Sequence, residues 1–127
     1  MKAFITADVG LGPRQRDVLA AISALNEALN GGLSSRTEGV SELGVCVRCL
    51  PSTARYRKRA VQFSAETRGL FADAVVDGDA VLSDPKADIK TAVLEGIDAA
   101  LNDIEAFAKR KSIAVDLEPF RSAIGIR

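Results

Sequence analysis

The chain has 127 residues, of which 47% are hydrophobic and 27% are charged. This length and composition predict a single folded domain over residues 1–127 and exclude general disorder. Seventeen basic and seventeen acidic residues cancel, so the chain lacks the net positive charge typical of proteins that bind nucleic acid or anionic membranes. It also contains no histidine, the commonest general base and metal ligand, which favours a binding protein over an enzyme.

The amino-terminal third predicts a strand followed by a helix. Residues 2–9 alternate with a period of two, which is typical of a strand. Gly10 and Gly12 interrupt that pattern, and Pro13 suits the first position of a helix that extends to about Asn30. The apolar stripe of this helix comprises Val18, Ile22, Leu25 and Leu29. Gly31 and Gly32 predict its end.

Three further strands are predicted in the middle of the chain. One runs from Leu43 to Pro51, which cannot continue a central strand, and the next covers residues 60–65. A turn at residues 67–69 then leads to a strand over residues 70–76. The sequence Asp77-Gly78-Asp79 ends that strand in a turn. Successive strands with short connections predict an antiparallel meander.

A second long helix is predicted in the carboxyl-terminal third. Ser83-Asp84-Pro85 contains a capping residue and a proline suited to a first turn, and the helix ends around residues 109–111, where three cations face its negative end. Its apolar stripe comprises Ile89, Val93, Ile97, Leu101 and Ile104. The tail is open to two interpretations. Residues 118–123 suit a short helix, whereas residues 112–115 suit a strand or an extended linker.

These elements predict an α+β fold in the order β-α-β-β-β-α, with a possible short C-terminal helix. The four strands form one mainly antiparallel sheet, and the helices pack on one face of it because each has a single apolar stripe to bury. The opposite face of the sheet must then meet solvent or a partner.

The two cysteines indicate neither a redox motif nor a metal site. Cys46 and Cys49 lie three residues apart on a predicted strand, so their side chains point to opposite faces. We expect structural thiols, no metal and no cofactor. The N-terminal segment, with Asp8 soon after Met1, does not resemble a secretory signal, and no apolar run is long enough to span a membrane. These features predict a cytoplasmic protein.

Charge is divided by sign along the sequence. Residues 48–68 contain six cations and one anion, and they include the candidate partner-binding residues Arg55, Tyr56, Arg57 and Arg59. Arginine and tyrosine are enriched at the energetic centres of protein interfaces. The same run also suits a charged edge that protects a strand from aggregation. Nucleic acid is not expected as the partner, because interleaved aromatic residues are missing.

The following segment is acidic. Residues 69–107 contain nine acids and two lysines. Most of the acids should form the solvated side of the second helix, and the regular ligand spacing of a calcium loop is absent. Asp77, Asp79 and Asp84 provide an alternative contact surface for a basic partner.

Three segments resemble small bacterial immunity proteins of polymorphic toxin systems. They are Phe4-Ile5-Thr6-Ala7-Asp8-Val9, Leu25-Asn26-Glu27-Ala28-Leu29 with the following Gly31-Gly32-Leu33, and Arg55-Tyr56-Arg57-Lys58-Arg59. The resemblance implies a cytoplasmic antidote that has no enzymatic activity and binds one cognate toxin domain.

Three functional hypotheses follow from the sequence. The leading one is a binding protein of the immunity type that neutralises a toxin by direct contact, with charge complementarity guiding the association. The second is a homo-oligomeric structural or accessory protein, such as a homodimer formed through the uncovered sheet face. The third is a small enzyme that works with a carboxylate such as Asp8 or Asp73.

Overall fold

The computed structural model describes residues 2–7, 15–33, 42–50, 60–77 and 88–125. Within these ranges the elements, in chain order, are β1 (Lys2–Ala7), α1 (Gln15–Leu33), β2 (Glu42–Leu50), β3 (Ala60–Thr67), β4 (Leu70–Asp77), α2 (Ile89–Arg110) and α3 (Glu118–Ile124). The α+β class, the four-stranded sheet and the short C-terminal helix are therefore confirmed.

The sheet is mixed. Its strand order is β1-β2-β3-β4, and the β2-β3-β4 portion is the predicted antiparallel meander. Strand β1, however, pairs with β2 in parallel. A parallel pair needs a long crossover connection, which α1 supplies by carrying the chain back to the end of the sheet where β1 began. Alternation within β1 predicts its faces but carries no information on its direction relative to β2.

All three helices contribute to one core on a single face of the sheet. The helix α2 packs mainly on β3 and β4, whereas α1 packs on β1 and α3. Both predicted apolar stripes are buried in this core. Gly96 allows α2 to approach the sheet closely, since a Cβ at that position would lie 2.2 Å from the buried ring of Phe63. The predicted packing of helices on one face is thus confirmed.

The predicted boundaries of both long helices need correction. The first helix continues through Gly31 and Gly32 to Leu33. Glycine disfavours helical backbone by only about 1 kcal/mol, so two glycines do not by themselves stop a helix. The second helix begins at Ile89 rather than near Pro85, because Asp88 has an extended backbone and caps it.

The cap on α2 is a local hydrogen-bonding motif. The Asp88 carboxylate accepts hydrogen bonds from the backbone N–H of Thr91, at 3.2 Å, and from its hydroxyl, at 2.8 Å. The Thr91 hydroxyl and then its N–H lower the pKa of Asp88 from its ordinary value of 3.8. An aspartate followed three residues later by threonine is thus the start signal that displaces the predicted one.

A tight turn joins β3 to β4. Arg68 and Gly69 both have positive φ, 51° and 77°, as a two-residue type I′ hairpin turn requires. The Arg68 guanidinium donates to the carbonyl of Ala114 at 3.0 Å. This contact ties the turn to the segment between α2 and α3, which has no regular secondary structure.

A buried arginine ties α3 to α2. Arg121 is 6% exposed, and its guanidinium forms ion pairs with Asp98 and Glu105 of α2. It also donates to the side-chain oxygen of Asn102 at 2.9 Å. These two acids were expected to be solvated helix surface or a surface for a basic partner. Glu105 is exposed, as expected, and both acids also have a partner within the chain.

No helix in the described part of the chain is both long enough and apolar enough to cross a bilayer.

Candidate functional site: the open face and the edges of the sheet

The face of the sheet opposite the core contains a shallow depression of about 460 Å³. Its floor consists of side chains that alternate with the core residues along the four strands. The alternation was predicted for each strand separately, and the register brings the residues together in rows across the sheet. The lining includes Phe4, Thr6, Gly44, Cys46, Arg48, Gln62, Ser64, Glu66, Phe71 and Asp73.

The central row of this face is polar. Thr6, Cys46, Ser64 and Asp73 lie opposite one another on β1, β2, β3 and β4. The Ser64 hydroxyl donates to the Asp73 carboxylate at 2.8 Å. Cys46 is half-buried here, at a strand position as predicted. The Ser64 hydroxyl therefore has a polar partner on this face, and the chain contains no histidine that could activate it as a nucleophile.

Large apolar side chains flank the polar row. Phe4 is 51% exposed, Phe71 is 56% exposed and Val75 is 43% exposed. Phe4 and Phe71 lie at opposite ends of one cross-strand row, which also contains Gly44 and Glu66. The Phe4 ring lies over Gly44, where a Cβ would come within 3.0 Å of it. Large apolar side chains exposed together on one face are typical of protein-binding surfaces.

Two carboxylates lie on this face: Glu66 is in the row between the two aromatic rings, and Asp73 is next to Phe71 along β4. Within the described residues, neither Glu66 nor Asp73 forms an ion pair. The nearby Arg48 guanidinium lies 3.9 Å from the Cys46 sulfur. The described residues contain no group of three or more acidic, cysteine or histidine side chains placed to hold a metal ion. Two negative charges on an open, partly apolar surface favour a partner with a basic side chain.

The outer edge of β1 is closed by a side chain from α1. The Asn26 amide nitrogen donates to the carbonyl of Ile5 at 2.8 Å, and the amide oxygen accepts from the N–H of Ile5 at 2.9 Å. Both groups of Ile5 point away from β2, as alternate residues of an edge strand do. Asn26 therefore takes the position that a neighbouring strand would occupy.

The outer edge of β4 is open. The two-residue turn makes Thr67 and Leu70 a hydrogen-bonded pair, so alternation along β4 directs the N–H and C=O groups of Phe71, Asp73 and Val75 away from β3. No other strand of the described residues lies beside β4, and no described residue hydrogen bonds to these outward groups. The three residues whose backbone is unpaired are also exposed on the open face.

Most of the predicted partner-binding residues lie outside the described residues. These are Arg55, Tyr56, Arg57 and Arg59 of the basic segment, and Asp79 and Asp84 of the acidic segment. Asp77 is the last residue of β4, and its Cα pairs with Ala60, which in turn pairs with Leu50. The basic and acidic segments are therefore attached at the same end of the sheet.

Sequence reasoning missed the edge residues. Period-two alternation predicts that Phe71, Asp73 and Val75 share a face, but it does not show that β4 lies at the edge. Nor does it show that Asn26, inside a helix, lies beside β1. Both facts depend on strand order, for which the only sequence signal is the short turn between β3 and β4.

Comparisons with known proteins give no match: no protein-family model fits the sequence, and no curated protein sequence is significantly similar to it.

Proposed function

We propose that this chain is a non-enzymatic binding protein of the immunity type, which neutralises a cognate bacterial toxin in the cytoplasm by direct contact. The observation that supports this proposal best is the open sheet face, which displays Phe4 and Phe71 beside Glu66 and Asp73. Such a face combines apolar area for affinity with charge for orientation and association rate.

The charged segments add to this surface. The residues Arg55, Tyr56, Arg57 and Arg59 of the basic segment lie between β2 and β3, and Asp77 of the acidic segment is the last residue of β4. Both segments join the sheet at one end, so residues of either charge sign are attached there. We propose the basic segment as the principal contact and the acidic residues Asp77, Asp79 and Asp84 as the alternative.

The test is neutralisation in cells. The reading frame directly upstream would be expressed from an inducible promoter, with and without this chain, and growth would be measured. We expect growth arrest that this chain relieves, together with a stable complex of the two purified proteins by calorimetry. Growth arrest that persists when this chain is present at excess, with no complex detected, would contradict the proposal.

Paired charge variants locate the contact. Arg57→Ala with Arg59→Ala should weaken the complex by about 2 kcal/mol or more, the cost typical of removing desolvated charge pairs. Unchanged affinity in that variant, with a clear loss for Asp77→Ala combined with Asp79→Ala, would move the contact to the acidic residues. Circular dichroism of each variant checks that the fold is retained.

The exposed Phe4 and Phe71 also favour a second candidate, a homodimer through the open face. Sedimentation across a range of concentrations tests it. A dimer that dissociates when Phe4 and Phe71 are both changed to serine would support the homodimer, and a monomer at all concentrations would exclude it.

A further inference from the structure

We infer that β4 is a docking edge, at which the partner adds an extended strand with a basic residue opposite Asp73 and apolar residues opposite Phe71 and Val75. This inference rests on the proposed function, because it describes how the partner of that function binds.

The two edges of the sheet differ in the hydrogen bonding of their outward backbone groups. At β1, Asn26 satisfies both outward groups of Ile5. At β4, Phe71, Asp73 and Val75 each direct an N–H and a C=O to the outside, and no described residue hydrogen bonds to these groups. Strand addition needs such a row of alternating backbone groups. At β1 this row is interrupted at Ile5, whereas at β4 it is continuous over Phe71, Asp73 and Val75 among the described residues.

The side chains of β4 on the open face determine which partner strand fits there. On the open face, β4 displays an apolar, an acidic and an apolar residue in turn: Phe71, Asp73 and Val75. A strand that pairs with β4 places its own side chains about 5 Å from these. Asp73 has no ion pair within the described residues. A lysine or arginine opposite Asp73 therefore gains a charge pair, and apolar residues on either side of it cover Phe71 and Val75.

A second copy of this chain fits the β4 edge less well than a foreign strand does. Strand β4 contains Asp73 and Asp77 and no basic residue. When β4 pairs with itself symmetrically about Asp73, the two Asp73 side chains lie directly opposite each other, and β4 contains no basic residue to separate them. Like charges in that position are destabilising. Charge thus favours a foreign strand that carries a basic residue.

The test uses a synthetic peptide in which isoleucine, arginine and tyrosine alternate with threonine. A control peptide has glutamate in place of arginine. Each peptide is titrated into the full, isotopically labelled chain, and amide shifts and hydrogen exchange are followed by NMR. We expect the amides of Phe71, Asp73 and Val75 to shift and become protected, with the glutamate peptide binding about tenfold more weakly.

Proline substitutions test the backbone contact. The N–H of Val75 points outward, so Val75→Pro removes a docking donor and leaves the pairing with β3 intact. We expect it to abolish peptide binding, whereas Val75→Ala, which keeps the N–H, should bind within about threefold of the original chain. Ala74→Pro serves as the fold control, because the Ala74 N–H faces β3 and its loss should unfold the hairpin.

A charge reversal provides a test that does not depend on proline. Asp73→Lys changes an exposed side chain and should reverse the preference, so that the glutamate peptide binds better than the arginine peptide. Equal binding of both peptides to the original chain, or shifts centred on β1, would overturn the inference. A concentration-dependent dimer that Val75→Pro abolishes would also overturn it, in favour of a second copy.

These outcomes are distinguishable from failure of the proposed function, because the peptide assay contains no toxin. Peptide binding without neutralisation would leave the docking edge standing and remove the immunity role. If Val75→Pro leaves neutralisation unchanged and no peptide binds, the immunity role stands and the docking edge is overturned.

Discussion

The two outer strands of the sheet, β1 and β4, differ in what covers their outward backbone N–H and C=O groups. The edge at β1 is covered by one amide side chain, which repeats the hydrogen bonds of an absent strand. The edge at β4 has no such cover among the described residues and is guarded only by the charge of Asp73 between two apolar side chains. Edge strands normally require protection against unwanted pairing. In this fold a specific side-chain contact caps the edge at β1, whereas no described residue caps the edge at β4.

The two edges are also supported differently by the helices. Strand β1 is held at its rim by Asn26 of α1, whereas β4 lies under α2. Strand β4 is therefore supported by apolar packing on one face, and no described strand lies at its outer edge. Four sets of variants test this difference between the two edges.

Gly96→Ala should have the largest effect. The added Cβ would lie 2.2 Å from the buried ring of Phe63, so α2 must move away from β3 and β4. We expect a loss of about 3 kcal/mol in the free energy of unfolding, measured by urea titration. The control is Gly44→Ala, whose Cβ would come within 3.0 Å of the exposed ring of Phe4, which can turn away into solvent, so this change should cost far less. Equal losses for the two variants would contradict the proposed close packing.

Asn26→Ala should open the β1 edge. The variant removes both hydrogen bonds to Ile5, at a cost of about 1 to 2 kcal/mol. Hydrogen exchange should show loss of protection at the Ile5 amide, with no change at the β3–β4 hairpin. Glu27→Ala, a change at an exposed neighbour on the same helix, should leave the Ile5 amide protected. If the Ile5 amide stays protected in Asn26→Ala, the Asn26 side chain does not close this edge.

Thr67→Val should stabilise the β4 side of the sheet. The Thr67 hydroxyl is buried and has no hydrogen-bond partner in the described structure. Valine has the same shape without the hydroxyl, so we expect a gain of about 1 kcal/mol, visible as a higher Tm. Thr67→Ser keeps the hydroxyl and loses a methyl group, and it should therefore lower the Tm. A lower Tm for valine would show that the hydroxyl is satisfied.

The smallest effect should come from acid. The pKa of Asp88 is lowered in the folded chain, so its charged form favours folding above the ordinary value of 3.8, and this contribution is lost as pH falls through the lower folded value. The start of α2 should then fray, whereas the Asn26 amide at β1 does not titrate. Asp88→Asn keeps the cap without a titrating group, and it should flatten this part of the pH profile of helix content. A profile that Asp88→Asn leaves unchanged would assign the acid sensitivity to another group.

Much of the fold was predictable from local patterns. Period-two alternation gave the strands with nearly correct bounds, and the two apolar stripes gave both helices that cover the sheet. The parallel pairing of β1 was not predictable, because it depends on where the crossover places the chain. The start of α2 was misplaced because Ser83-Asp84-Pro85 is as good a start signal as Asp88 when only local sequence is considered.

The candidate site was predictable only in part. The sequence indicated an uncovered sheet face, and the structure contains one. The basic segment that the sequence favours lies outside the described residues, so its role stays a prediction. The edge at β4 and the cover at β1 join residues far apart in the chain, such as Ile5 and Asn26. Contacts of that kind leave no trace in local periodicity.

The type I′ turn at Arg68 and Gly69 has a consequence for the order of folding. It closes the β3–β4 hairpin with only two residues, so the hairpin can form early and at little entropic cost. Strand β1 pairs with residues about forty positions away and must wait for α1 to cross over. During that interval β2 is itself an edge, and Asn26 completes the sheet only when β1 has arrived. We expect refolding to protect the β3–β4 amides first and the Ile5 amide last, which makes the capped edge the final element of the native state.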